Sequence, residues 1–165
     1  MATDMNAAGM AYPLTKMNFL VSVPDLAGSM AAFSEVTGIE ASVDVIEFRQ
    51  GNAHSLAPVK IPGLVKHGNI TLKMGYTIGN GFKQWIQDCV SETRGAMNRK
   101  TITIELLDIR DGSPNATYET TKGNILWLLK EAWVTKYTGP DLNASTSEVA
   151  IETVELAYEE LTMPD

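Results

Sequence analysis

Between Gly38 and Tyr76 the chain carries two long alternating segments around a polar stretch, Arg49 to Lys60, and this pairing narrows the possible folds more than any other feature. Ile39, Ala41, Val43 and Val45 are apolar with Glu40, Ser42 and Asp44 between them, the period of two by which a strand half-buries itself. Parity then changes: Ile46 and Phe48 carry the apolar side onward while Glu47 and Arg49 are polar. Such a strand either bulges at Val45 and Ile46 or hands its inner face from one sheet to another, because a one-residue slip turns over every side chain that follows. Thr101 to Arg110 repeats the change, with Ile102, Ile104 and Leu106 on even positions and Leu107 and Ile109 on odd ones. Corner-turning strands of a sandwich or barrel account for both segments; burial of both faces is the plainer alternative. The polar stretch is longer than a hairpin needs, which points to a surface made for another copy of the protein.

The rest of the chain reads as mainly β with one helix. Met17, Phe19, Val21 and Val23 alternate with polar neighbours and predict a first strand ending at Pro24 and Asp25; Ala31 to Thr37 is a weaker strand. After Pro62 and Gly63, a turn signal, Ile70, Leu72, Met74 and Tyr76 alternate with Asn69, Thr71, Lys73 and Gly75, the cleanest strand pattern present. Gly79, Asn80 and Gly81 then open a segment in which Phe82, Trp85, Ile86, Cys89 and Val90 recur at helical spacing. This predicts one amphipathic helix over about 80–93, with Cys89 a small buried hydrophobe on its apolar stripe. Turn clusters at 111–115 and 122–124 flank a short edge strand at 116–121. Ile125 to Tyr137 and Glu148 to Leu161 fit either period; alternation of Trp127, Leu129, Trp133, Thr135 and Tyr137 favours a strand for the first.

A chain of 165 residues fits one domain, which buries about 70% of the surface its unfolded form exposes. One cysteine, Cys89, leaves no internal disulfide, as expected for a reducing compartment. Met1 to Tyr12 lacks the basic and apolar stretches of a secretory signal, and no apolar run reaches membrane-spanning length. Both features predict a soluble protein made inside a cell.

The net charge of −7 argues against a general nucleic-acid binder, and its distribution says more. Residues 49–100 carry eight bases against two acids, a balance of +6, so the remainder carries −13; from Asp141 onward there are seven acids and no base. Oppositely charged regions on one small domain suit head-to-tail docking of neighbouring copies, although solvated faces give the same pattern.

The sequence offers no active site. A phosphate-cradling glycine loop, a histidine pair at metal spacing and a nucleophile elbow are all missing. His54 and His67 stand alone, and Asp44 and Glu47 fall on either side of the inferred bulge without a general-acid pocket. No catalytic, cofactor or metal residue is predicted. Three Asn-x-Ser/Thr triplets, at Asn69, Asn115 and Asn143, mean little without a signal peptide.

Three blocks carry a family resemblance: Phe33 to Glu40, Val45 to Asn52 and Lys60 to Gly75, the last containing Pro62-Gly-Leu-Val-Lys-His-Gly-Asn-Ile-Thr-Leu-Lys73. With Trp85-Ile86, Trp133 to Ala144 and Val149 to Glu159, they make the chain similar, over roughly Tyr12 to Leu161, to inner-tube proteins of contractile injection systems and tail tubes of contractile-tailed phages. The extracellular, phage-tail-like type is the nearer resemblance. It implies two antiparallel sheets packed at a steep angle as a sandwich or barrel, with one helix against them. Six subunits would close into a ring whose strands join in one continuous barrel, and rings would stack into a hollow tube. It assigns Glu148 to Leu161 to a strand. Without an internal repeat, linker or low-complexity tract, residues 12–165 are expected to form a single domain, and residues 1–11, small and with little pattern, are expected to be flexible or ordered on assembly. The resemblance gives the 49–60 loop the task of contacting the neighbouring ring.

The contact surface so implied takes Glu47, Arg49, Asn52, His54, Lys60 and Lys66 from the loop and its flanks, and Glu152 and Glu155 from the acidic stretch. Implied partners are further copies of the chain, a sheath protein, baseplate, spike and cap proteins, and effector cargo in the lumen, with no membrane insertion and no specific nucleic acid. Synthesis in a bacterial cytoplasm and assembly inside a sheath would follow. A secreted type VI-like ring carrying effectors and a monomeric small-ligand-binding β-barrel are the competing readings.

Overall fold

The computed structural model describes residues 16, 18–26, 33–76, 81–91, 98–106 and 125–163. The predicted N-terminal segment 1–11, the turns at 111–115 and 122–124, the edge strand at 116–121 and the Leu107 to Arg110 half of the second parity change lie outside the described residues.

Nine strands and one helix follow in the order β1 (Phe19–Ser22), β2 (Phe33–Thr37), β3 (Ala41–Phe48), β4 (Val59–His67), β5 (Ile70–Gly75), α1 (Gly81–Val90), β6 (Lys100–Leu106), β7 (Ile125–Thr138), β8 (Ile151–Ala157) and β9 (Glu160–Thr162) among the described residues. The chain is mainly β, as its alternations predict. A seven-stranded antiparallel sheet runs β1-β6-β7-β8-β5-β2, with β9 also on β7, and β3 and β4 form a separate two-stranded sheet. Both ambiguous segments are extended: Ile125 to Thr138 is one long strand, and the last segment is divided into β8 and β9.

A corner of the kind expected at Val45 and Ile46 and in Thr101 to Arg110 lies instead in β7. Its first half pairs with β6, Lys100 facing Ala132 and Ile104 facing Trp127, while its second half pairs with β8, Trp133 facing Ala157 and Thr138 facing Thr153. Between the halves Glu131 adopts φ +53°, a left-handed conformation that side chains other than glycine and asparagine seldom take. The β6 register slips at the same place, so that β7 carries one residue more than its partner. The buried positions accordingly pass from Leu129 to Ala132 and Val134, the change of parity that bends a strand and curls the sheet it belongs to.

The bulge expected at Val45 and Ile46 sits slightly earlier, between Val43 and Val45, and the additional residue belongs to β4: Val43 faces Val65, but Val45 faces Pro62. Gly63 lies at this point, and a Cβ added to it would stand 3.0–3.2 Å from Asp44 O, Asp44 Cβ and Ile46 Cγ1, so any larger residue would push β3 back by a few tenths of an ångström.

Helix α1 covers the inner face of the large sheet. Its i, i+3, i+4 stripe places Phe82, Trp85, Ile86 and Cys89 in one core cluster with Ile70, Leu72, Met74, Val154 and Leu156, the helix lying against β7, and burying a side chain such as Phe82 contributes about 1.5–3 kcal/mol. Trp85 Nε1 donates to Asn98 O at 2.6 Å, satisfying a buried donor. Burial pushes the Cys89 thiol up, the behaviour of a structural cysteine. No helix among the described residues is long and apolar enough to cross a membrane.

Candidate assembly interface

The β3-β4 hairpin stands apart from the sheet and is held to it at its base. Tyr158, at the end of β8, donates its hydroxyl hydrogen to Glu40 O at 3.0 Å, and its ring lies 5.1 Å from that of His67. Beyond this anchor the hairpin is an arm with apolar side chains exposed on both faces: Val43 and Val45 on one face of β3, Ile46 and Phe48 on the other, with Val59, Ile61, Leu64 and Val65 on β4. Leu64 is 74% exposed. A two-stranded sheet is marginal in water on its own, and contiguous apolar surface of this kind marks a site for a partner.

The arm gathers six of the eight residues predicted to make contacts. Glu47 faces Lys60 across the hairpin, their charged groups 4.0 Å apart, and Lys66 Nζ lies 2.7 Å from Asp44 Oδ2. Arg49 Nε donates to Ser55 O at 3.4 Å, tying one side of the tip loop to the other. Asn52 and His54 are exposed in that loop. All these ion pairs lie in water and contribute roughly 0–1 kcal/mol each, so they set the register of the arm more than its stability.

At the tip a cavity of about 240 Å³ is lined by Phe48, Arg49, Gln50, Ala53, Ala57 and Val59. Phe48 and Val59 are cross-strand partners and form its apolar wall. The loop around it is shaped by its own hydrogen bonds, Ala53 N to Gln50 O at 3.1 Å and Ala57 N to Ser55 Oγ at 3.1 Å.

Glu155 and Glu152 lie elsewhere, on β8 in the large sheet. Glu155 is partly exposed and sits 3.8 Å from Lys136 on β7. Glu152 departs from its expected role: it is 0% exposed, facing the core beside Met74, and offers no surface to a neighbouring copy. Its Oε1 accepts a hydrogen bond from the Tyr137 hydroxyl at 2.5 Å and lies 3.3 Å from Lys83 Nζ, which also stands 3.1 Å over the Tyr76 ring. That hydrogen bond, more than burial, pushes the Tyr137 phenol up to about 12. The signal was present in the sequence, because Glu152 shares its parity with Val154, Leu156 and Tyr158, all buried.

Sequence reasoning also passed over the loop after β7. Leu142 is 88% exposed and Val149 78%. Asn143 orders the loop between them: its Oδ1 accepts from Ser145 N at 3.0 Å and from Ser145 Oγ at 2.7 Å.

No group of three or more metal-ligating side chains occurs among the described residues. The arrangement is one of exposed apolar surfaces and paired charges, suited to holding protein against protein.

Comparison with known proteins agrees. No curated protein matches the chain. A tube-containing structure, the sheath-tube complex of the extracellular contractile injection system PVC in its extended state, has a chain that is 26% identical, with a TM-score of 0.70 over 92% of this chain and 91% of that one. The sheath/tube terminator of the same system is 26% identical, with a TM-score of 0.71 over 93% and 98%. The tube-terminating cap of the anti-feeding prophage is 25% identical, with a TM-score of 0.70 over 98% and 97%. Residues 15–162 match the family described as T4-like virus tail tube protein gp19, nearly the whole chain, and the protein belongs to that tail tube family.

Proposed function

We propose that the chain is the structural subunit of the hollow inner tube of a contractile injection system. It closes with further copies into hexameric rings, and the rings stack inside a sheath whose contraction drives the tube through a target. The observation that carries this reading is the arm, whose apolar residues are exposed on both faces in one chain and need neighbouring copies to cover them. Membership of the tail tube family supports the same conclusion, and the solved relatives belong to assemblies with a sheath, a terminator and a cap.

On this reading residues 12–165 act as one tube domain, and the sheath, baseplate, spike and cap proteins are its partners in a particle assembled in a bacterial cytoplasm. Effector cargo occupies the lumen. The tube transmits force and catalyses nothing. The contact surface is the arm, with Glu47, Arg49, Asn52, His54, Lys60 and Lys66, together with Glu155 on the sheet.

Negative-stain imaging of the purified protein tests the proposal. Stacked hollow tubes are expected; isolated rings point to a type VI-like ring, and single small particles at high concentration overturn it. Charge reversal at Lys60 and Lys66 is expected to reduce tubes while rings persist, and equal yields of tube from the reversed and original chains would remove those lysines from the stacking contact.

A further inference from the structure

From the tip of the arm and the loop after β7, we infer that the Phe48/Val59 cup of one copy receives Leu142 of a second copy. The inference rests on the tube reading and adds the segment that occupies the cup.

Leu142 has the largest exposure of the large hydrophobic side chains among the described residues, and it stands at the mouth of an ordered loop. The Asn143 hydrogen bonds fix the chain immediately after it, and Tyr76 N donating to Ala150 O at 2.9 Å ties down the far end. A knob held in this way loses little conformational freedom on docking. The cup, about 240 Å³, has room for one branched aliphatic side chain against Phe48, Ala53, Ala57 and Val59.

Charge gives the pairing its direction. In the cup the two large wall residues are each followed by a base, Phe48 by Arg49 and Val59 by Lys60, and the tip from 48 to 60 contains no acid. In the loop each exposed large apolar residue is preceded by an acid, Leu142 by Asp141 and Val149 by Glu148, and the stretch from 141 to 150 contains no base. Seating the leucine brings carboxylates to a basic rim, and the like-charged alternatives, cup on cup or loop on loop, are disfavoured.

Cup and knob occupy different places on the protomer, so a copy that fills its neighbour's cup keeps its own open. The contact is heterologous and repeats without limit unless it closes. One leucine in one cup is weak, but copies already joined in a ring present it many times at once, which multiplies the avidity.

The test is a cross-link. Ala53→Cys and Leu142→Cys are combined in a Cys89→Ala background, and assembled particles are oxidised and run on a non-reducing gel. A ladder of multimers that collapses on reduction, and that neither single cysteine gives, is expected. Tubes without a ladder overturn this pairing and leave the tube reading intact; a wild-type chain that forms no tubes overturns both. If the cysteine chain does not fold, Leu142→Asp serves instead, with an expected loss of tube of at least tenfold while rings persist and Leu142→Met assembles normally. Undiminished tube from Leu142→Asp overturns the pairing.

Discussion

Single side chains decide how this protein spends its buried polar groups. Glu152 is placed in the core with one carboxylate oxygen shared by Tyr137 and Lys83 and the other, Oε2, without a hydrogen-bond partner among the described residues. Such a group is tolerated only while its partners remain. Tyr137 titrates near 10 when unfolded and is pushed up to about 12 in the fold by its hydrogen bond to Glu152. The folded state therefore holds a proton that the unfolded state has released, and the stability this provides is fully present below pH about 10 and lost as pH rises toward about 12. Thermal melting of the original chain is expected to fall through this window, and Tyr137→Phe to show a shallower fall there; identical alkaline profiles would exclude the hydrogen bond as its source. The buried position of Glu152 was legible from its parity with Val154, Leu156 and Tyr158. The expectation of an acidic contact surface does not hold at this position, because composition counts charges without asking which face they occupy.

At the level of elements, short-range patterns were the most informative. The alternation of Ile70, Leu72 and Met74 gave β5, and the stripe of Phe82, Trp85, Ile86 and Cys89 gave α1, because burial acts on those periods directly. The bend of β7 left no such mark. It depends on a backbone angle at Glu131, a residue type that announces no turn, and on register with two different partners, β6 before it and β8 after it. The left-handed angle costs a non-glycine residue roughly 1–2 kcal/mol. Glu131→Gly is expected to raise stability by about 1 kcal/mol in chemical denaturation, and Glu131→Val to lower it by at least as much, since β-branching adds to the crowding. A stabilised valine chain would show that the angle is not under strain. The bulge of the arm was nearly legible, but the supernumerary residue lies on β4 beside Gly63, and a parity change in β3 cannot say which strand of a pair has slipped.

For the whole molecule, folding and assembly draw on different surfaces. The core is built from the large sheet and α1, whereas the apolar residues of the arm lie outside it. Val45→Asp with Leu64→Asp is therefore expected to leave the melting temperature within a few degrees of the original, because exposed substitutions usually change stability by no more than about 0.5 kcal/mol. The same substitutions are expected to abolish tubes in electron micrographs. A loss of melting temperature beyond about 10 °C, or tubes of normal yield, would show that the two surfaces are not separate. The strand that turns the corner bears on strength as well as shape. Because β7 is bonded to β6 along one half and to β8 along the other, prising the two halves of the curled sheet apart would mean stretching a continuous peptide chain, so a subunit pushed hard along its length would yield at its seams with other copies before it came open inside.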